Sequence, residues 1–169
     1  ALALFSGSAR AGSIGVGVYG GTSVPVLQAD EDKGTQFGVR LPVKLIPLIT
    51  VEPFFSSSAL GDQTVSLSSP PGVTFTRDGS KVTTYGANVM LTLGGPVTFY
   101  PYGGIGQAKY KRTAQDESFT SYQFGLGLGV SPIPKISIHL RGGLQAAVDG
   151  AVSRKLLDIT LGASYSLFS

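Results

Sequence analysis

Apolar residues recur at every second position along this chain, in one strand-length segment after another. The pattern is plain in residues 36–41, 122–130 and 136–141, where bulky apolar side chains alternate with glycine, hydroxyl, amide and charged residues. A period of two predicts β-strands, because successive side chains point to opposite faces of a sheet. The apolar series is unbroken while the polar series carries the charges, so the pattern favours a barrel whose apolar face is turned toward lipid.

The alternation, together with the turn-forming residues that interrupt it, predicts eight strands. They are expected at residues 13–21, 35–45, 48–57, 83–94, 97–110, 119–131, 135–147 and 155–168. Most span about 9–13 residues, which suits a tilted strand that crosses a bilayer, whereas strands in soluble proteins average roughly 5–6. The predicted fold class is therefore all-β, an eight-stranded antiparallel up-and-down transmembrane β-barrel.

The predicted connections differ in length. Those after strands two, four and six are tight, and those after strands one, three, five and seven are longer and polar, the longest being residues 59–82. Bacterial outer-membrane barrels have short periplasmic turns and long external loops. We therefore expect both termini in the periplasm. Pro42, Pro53 and Pro101 fall inside predicted strands and should cause bulges or local breaks, because proline lacks the backbone donor.

Composition narrows the class of protein. Only 14% of residues are charged and 42% are hydrophobic, against roughly 25% charged in a typical soluble domain. No stretch approaches the ~18 uninterrupted apolar residues of a spanning helix, which leaves a large buried β core or a membrane β-barrel. The net charge of +3 is dispersed, so no nucleic-acid partner is expected.

Few residues could bind a metal or cofactor. The chain has one histidine and no cysteine, so no disulfide, metal site or cofactor is predicted. Asp30, Glu31 and Asp32 form a weak cation site at best.

Two regions are expected along the chain. Residues 1–12 are interpreted as a signal-peptide remnant or an N-terminal arm, because Ala9 and Ala11 follow a short apolar run in an A-x-A arrangement. Residues 13–169 form the barrel.

The inward positions carry the candidate site. Eight strands enclose an interior just wide enough for side chains to fill, and buried charges must be paired. We therefore expect a polar and charged network that closes the lumen, formed by Arg40, Lys44, Glu52, Asn88, His139, Arg141 and Asp158. The inward glycines, which include Gly38, Gly127 and Gly143, remove side-chain volume and leave a narrow small-solute channel as the alternative.

Aromatic residues on the outward positions concentrate toward the strand ends, as expected of a lipid-facing aromatic girdle. The predicted girdle comprises Phe37, Phe55, Tyr85 and Tyr122 near the outer rim, and Phe99 and Tyr165 near the inner rim.

Three features resemble a known superfamily: the run Pro101–Gly106, the glycine-alternating strand 125–130 and the aromatic ending 165–168. They are similar to the small eight-stranded bacterial outer-membrane barrels, that is, the outer-membrane protein A-like and surface opacity-like proteins. The resemblance implies a Gram-negative outer-membrane location, outer-membrane lipids as partners, and a terminal aromatic read by the barrel-assembly machinery. Ser169 after Phe168 departs from that ending, so a bulge or an inward-turned Phe168 is expected.

Some barrels of the superfamily that this chain resembles are enzymes that modify lipid A. Any serine–histidine chemistry here must use His139, with Ser137 beside it on the same face and Glu52 or Asp158 to orient the ring. However, the alternation points His139 inward, away from the membrane. We therefore assign no catalytic residue, and we expect a structural or surface-binding role through extracellular loops, with neighbouring surface proteins as partners. A lipid A-modifying enzyme is the remaining alternative.

Overall fold

The computed structural model describes residues 12–26, 32–66, 74–77, 79–112, 115–150 and 152–168. Of the predicted remnant or arm, only Gly12 is among them, and Asp30 and Glu31 of the weak cation site also lie outside the described residues.

The alternating segments form the eight walls of one antiparallel barrel, and each wall is one strand or two strands in line. The walls are β1, β2 with β3, β4, β7 with β8, β9, β10, β11 and β12, while β5 and β6 form a separate hairpin between β4 and β7. The strands are β1 Ser13–Val26, β2 Asp32–Arg40, β3 Val43–Ile46, β4 Ile49–Gly61, β5 Gln63–Ser66, β6 Thr74–Arg77, β7 Lys81–Leu91, β8 Leu93–Gly94, β9 Val97–Arg112, β10 Gln115–Ile133, β11 Ile136–Asp149 and β12 Val152–Phe168.

The first and last walls pair with each other and close the sheet. β1 pairs with β2 on one side and with β12 on the other, where Val16 lies opposite Tyr165. Every wall therefore has two hydrogen-bonded neighbours, and the predicted fold class is confirmed.

The described residues contain no helix that is long and apolar enough to cross a membrane.

The two ends of the barrel differ. We call the end at which β3 meets β4, β8 meets β9 and β10 meets β11 the turn end; Ser13 and Phe168 lie there too. The opposite end is the loop end. Several strands continue further toward the loop end than the alternation predicted, since β1 reaches Val26 and β10 begins at Gln115.

The expected long connections after the fifth and seventh walls are wrong. Only residues 113–114 join β9 to β10, and only residues 150–151 join β11 to β12. The polar composition of these segments indicated loops, but a backbone ladder continues whether its side chains are apolar or polar. Polarity therefore marked where the apolar surface ends rather than where the strands end.

The expected break occurs at Pro42, whereas β4 and β9 continue through Pro53 and Pro101, so the expectation is wrong at those two positions. Pro42 lies between β2 and β3, yet Arg40 faces Phe54 and Val43 faces Val51 in one continuous register. β4 runs through Pro53. Pro101 lies within β9 at the level of the gap between β7 and β8.

β12 contains a β-bulge next to Phe168, where the sequence pattern predicted a bulge or an inward-turned aromatic residue. Ile14 faces Phe168 whereas Gly15 faces Ser166, so Leu167 is the extra residue of β12.

Large apolar side chains cover the outside of the barrel. On β10, for example, Leu126 and Leu128 are 54% and 50% exposed, while the intervening Gly127 is buried. The same alternation places exposed Leu140 on β11 and exposed Leu161 on β12. This surface would be costly in water and is suited to hydrocarbon.

Inside the barrel, three tyrosine rings occupy the space that inward glycines leave. A Cβ added to Gly127 would overlap the ring of Tyr100, and one added to Gly38 would overlap the ring of Tyr19. Tyr102 lies in the same way against Gly143. These glycines therefore leave room for aromatic side chains inside the barrel.

Two glycine substitutions test this packing. Gly127→Ala should lower the free energy of unfolding by about 1–3 kcal/mol, because overpacking forces the Tyr100 ring to move. Gly142 lies on the outward face of β11, and a Cβ there meets nothing within 4 Å. Gly142→Ala should therefore leave the free energy unchanged or raise it slightly. Urea unfolding of both variants in lipid vesicles measures the difference, and equal effects would contradict the packing described here.

Candidate functional site

A buried ion pair lies at the centre of the lumen. Alternation along β11 and β4 points Arg141 and Glu52 inward, and the barrel places them across the interior from each other. The two terminal guanidinium nitrogens of Arg141 donate to Oε1 and Oε2 of Glu52 at 2.5 and 2.8 Å. Glu52 is 1% exposed. This forked geometry is the strong form of an arginine–carboxylate pair.

The remaining surface of the Arg141 guanidinium is covered by other side chains. Its Nε donates to the Tyr100 hydroxyl at 3.0 Å, and its Nη2 lies 3.2 Å from the Met90 sulfur. The guanidinium carbon also lies 5.1 Å from the Tyr100 ring centroid and 5.4 Å from that of Tyr102. Aromatic faces attract cations at such distances, so these contacts offset part of the cost of burying the charge.

A second guanidinium shares the same carboxylate. The Nε of Arg40 lies 3.9 Å from Oε2 of Glu52, and its guanidinium carbon lies 5.2 Å from the Tyr19 ring centroid. Both Arg40 and Glu52 are buried. Glu52 is thus the anion that faces both arginines, and we call Arg40, Glu52, Tyr100 and Arg141 the arginine–glutamate cluster.

His139 extends this cluster toward the turn end. Its Nδ1 lies 3.2 Å from the Tyr100 hydroxyl and its Nε2 lies 2.9 Å from the Ser164 hydroxyl. The serine considered from sequence, Ser137, instead contacts Ser131 at 2.8 Å. The orienting group expected of a hydrolytic triad is a carboxylate, but the ring of His139 is held by the Tyr100 hydroxyl.

Asp158 lies above the arginine–glutamate cluster, toward the loop end. Ser23 donates to its carboxylate at 2.6 Å, and Gln36 also forms a hydrogen bond with it. A cavity of about 30 Å³ separates this group from the cluster, and buried Asn88 lines it. Arg40 and Arg141 line the same cavity from the side of the cluster.

Lys44 lies at the turn end of the predicted network. It is half-buried and lines a wider cavity of about 150 Å³ at the turn end, together with hydroxyl-bearing Thr50 and Ser166. Glu52, His139 and Arg141 of the predicted network line the same cavity.

An apolar cluster, which sequence reasoning missed, occupies the lumen at the loop end. All its members are buried and inward-pointing, and six walls contribute them: Leu60, Val82, Ala108, Tyr110, Phe119, Ala147 and Leu156. Tyr110 and Phe119 pack edge to face, with ring centroids 5.2 Å apart. We call this set the apolar plug.

Arg154 and Glu117 cover the apolar plug. The guanidinium carbon of Arg154 lies 4.8 Å from the Tyr110 ring centroid and 5.6 Å from that of Phe119. Its Nη2 also donates to Glu117 at 3.2 Å. The guanidinium of Arg154 therefore lies close to both rings while it also forms an ion pair with a carboxylate near solvent.

The six residues of the predicted girdle all lie on the outward face, and each is exposed. Above Phe37, Phe55, Tyr85 and Tyr122, the next outward residues toward the loop end are the polar Thr35, Ser57, Thr83 and Thr120. Phe99 and Tyr165 lie toward the turn end. The girdle remains a prediction, and its outer members stand where the apolar surface gives way to a polar one.

Among the described residues, no group of three histidine, cysteine or acidic side chains could hold a metal ion. The carboxylate of Asp32, the one described member of the weak cation site, accepts from the backbone nitrogen of Lys33 at 2.7 Å.

The sequence carried a signal for some of the missed contacts. Alternation alone points Tyr19, Tyr100 and Ser164 inward, but which residues meet across the lumen depends on the register of walls far apart in the chain. The apolar plug was missed for another reason: Leu60, Ala108 and Phe119 lie at the ends of predicted strands or in predicted loops, so their inward alternation went unnoticed.

Comparison with known proteins places the chain in a family. The family model described as an outer membrane protein beta-barrel domain matches residues 1–165. No curated protein sequence matches the chain.

Several solved structures share the fold. Neisserial surface protein A superposes with a TM-score of 0.62 at 11% identity, covering 95% of this chain and 100% of that one. A major outer membrane protein from Thermus thermophilus gives a TM-score of 0.63 at 14% identity, covering 94% and 100%. Ail, the attachment invasion locus protein of Yersinia pestis, gives a TM-score of 0.52 at 18% identity, covering 92% and 97%. At these identities the likeness concerns the fold.

Removing the central carboxylate tests the arginine–glutamate cluster. Glu52→Gln should lower the free energy of unfolding in vesicles by about 3–5 kcal/mol, because it leaves two buried guanidinium groups without an anion. The control is Glu117→Gln, since the partly exposed pair with Arg154 should contribute about 1 kcal/mol or less.

A double variant distinguishes the loss of the Arg141–Glu52 interaction from non-specific destabilisation. Adding Arg141→Met to Glu52→Gln removes a charge that the first change left unpaired, so the double variant should lose less than the sum of the single changes. Strict additivity, measured by the same urea titration, would show that Arg141 and Glu52 do not stabilise each other.

Proposed function

This chain belongs to the family of outer-membrane protein β-barrel domains, and we propose that it is a non-enzymatic barrel with a closed lumen and a structural or surface-binding role. Family membership locates it in the bacterial outer membrane. The exposed apolar side chains would then face the lipid, and the lumen residues would be shielded from it.

The proposal includes an orientation. Short turns in such barrels face the periplasm and longer connections face outside, so the turn end, with Ser13 and Phe168, is assigned to the periplasm. The longer connections, residues 27–31 and 62–80, are then external, and the second of these carries the hairpin of β5 and β6.

The observation that carries the closed lumen is the apolar plug. Six walls contribute buried side chains to it, and an ion would have to shed its hydration to pass between them, at a cost of several kcal/mol. The arginine–glutamate cluster supports the same conclusion, because forked hydrogen bonds and stacked tyrosine rings occupy the lumen beneath the plug.

The absence of enzymatic activity is supported by the position of the serine–histidine contact. Ser164 and His139 face the interior, whereas a lipid substrate would lie against the outside of the barrel. The ring nitrogen that a carboxylate would orient in a hydrolase contacts the Tyr100 hydroxyl instead.

A surface role is supported by the external connections and by the fold shared with Ail, whose name describes attachment and invasion. Long exposed connections on a rigid scaffold are common binding sites. Outer-membrane lipids, neighbouring surface proteins and, during insertion, the barrel-assembly machinery are the proposed partners.

Single-channel recording tests the closed lumen against the small-solute channel. The purified barrel, inserted into planar bilayers in concentrated KCl, should give no current steps above those of the protein-free bilayer. A heat-dependent gel shift of the same preparation verifies that the barrel is folded, and a porin in matched bilayers verifies that insertion is detected. Discrete steps that accumulate as barrels insert would contradict the closed lumen and support a channel.

A further inference from the structure

Three lysines stand on the outward face at the loop end of two neighbouring walls. Lys81 begins β7, and Lys109 and Lys111 lie near the end of β9. All three are exposed and share the outward face with Tyr85 of the predicted girdle. We call them the lysine cluster.

Two members of the lysine cluster are cross-strand partners. Lys81 lies directly opposite Lys111, and Lys109 lies opposite Thr83, one position nearer Tyr85 on the same face. Like charges directly opposite in a sheet destabilise it. A bound anion would remove this repulsion.

The lysine cluster also reaches down to the apolar surface. The ammonium of Lys109 lies 5.6 Å from the Tyr85 ring centroid, and the Tyr85 hydroxyl donates to Gln107 at 2.6 Å. Below these residues, Val89 and Ile105 are exposed apolar side chains on the same two walls. A positive patch therefore borders a continuous apolar surface.

Neighbouring walls supply little compensating charge. The partner of Lys111 on β10 is Asp116, that of Lys109 is Ser118, and that of Lys81 on β4 is Ala59. Asp62 is also close, since its carboxylate accepts from the backbone nitrogen of Gly79, two residues before Lys81. Three ammonium groups against these two carboxylates leave the described part of the patch with a positive net charge.

We propose that Lys81, Lys109 and Lys111 bind the phosphate of an anionic phosphorylated lipid in the outer leaflet. The inference rests on the proposed orientation, which puts the loop end outside and the apolar face in hydrocarbon. Lysine ammonium groups are compact charges with three donors each and bind phosphate well. The acyl chains of the lipid lie along Val89 and Ile105 while its phosphate meets the ammonium groups above.

The position of the patch favours a lipid over a soluble anion. The lysine side chains point sideways from the barrel, over its membrane-facing wall, rather than upward from the tip of a loop. A headgroup held at the membrane surface reaches them without losing contact between its chains and the apolar wall.

The test uses the full chain in nanodiscs of phosphatidylcholine, whose phosphate is neutralised by choline in the same headgroup, with a small fraction of lipid A, whose phosphates carry a net negative charge. Native mass spectrometry counts the retained lipid A. The cluster variant is Lys81→Gln/Lys109→Gln/Lys111→Gln. The control variant is Lys33→Gln/Lys135→Gln/Lys155→Gln, which removes the same charge from lysines outside the cluster. Each protein is first shown to be folded by its heat-dependent gel shift.

Wild type and control variant should bind lipid A equally, and the cluster variant should bind at least roughly tenfold more weakly, since each lysine near a charged surface contributes about a few-fold in affinity. Lipid A stripped of its phosphates should bind wild type as weakly as lipid A binds the cluster variant.

Four results would overturn the inference: retention that is equal in the cluster variant and wild type, equal losses in both variants, binding of stripped lipid A as strong as that of lipid A, or displacement of lipid A by inorganic phosphate. The last would identify free phosphate as the ligand. A wild-type chain that lacks the gel shift and stays in solution without detergent would instead refute the proposed function, and this inference with it.

Discussion

A strand that crosses hydrocarbon finds no water for its backbone amides and carbonyls, so every one of them must be paired within the protein. This constraint requires the pairing of β1 with β12, because an open sheet would leave two unpaired edges in lipid. Closure gives the sheet two chemically different faces, one toward lipid and one toward the lumen. Each strand must then satisfy lipid on one side and a confined interior on the other, which is why its residues alternate in chemistry.

The confined interior explains the chemistry of the lumen. Eight walls leave room for side chains but little else, so Arg40 and Arg141 lose their contact with bulk water and depend on Glu52 and on the faces of Tyr19 and Tyr100. The two tyrosines fit only because their cross-strand partners on the adjacent walls are Gly38 and Gly127. Toward the loop end, the side chains that occupy the lumen are apolar. A polar cluster and an apolar plug thus occupy one lumen, each in the half where its residues can be satisfied.

Alternation was enough to predict the fold, because one period governs the whole chain and the residues that face each way can be read along a single strand. It also predicted Arg40, Glu52 and Arg141 as inward. It could not predict that Ser164 rather than Ser137 meets His139, since that contact joins two walls whose register is set by pairing and not by composition. The predicted strands also ended too early: polar residues such as Lys111 suggested a loop, although β9 continues to Arg112 beyond the apolar surface. The loop ends of these strands lie in that overlooked region, together with Leu60 and Val82 of the apolar plug.

Nuclear Overhauser effects between lipid and protein test the central claim most directly, that hydrocarbon contacts one face of the barrel and never the other. In nanodiscs, the acyl-chain methylene protons should give cross-peaks to the methyl groups of Leu126, Leu128 and Ile159, which are exposed on the outside. They should give none to Val82 and Leu156, which are equally apolar but lie inside the apolar plug. Cross-peaks to the second pair, or their absence from the first three residues, would contradict the account.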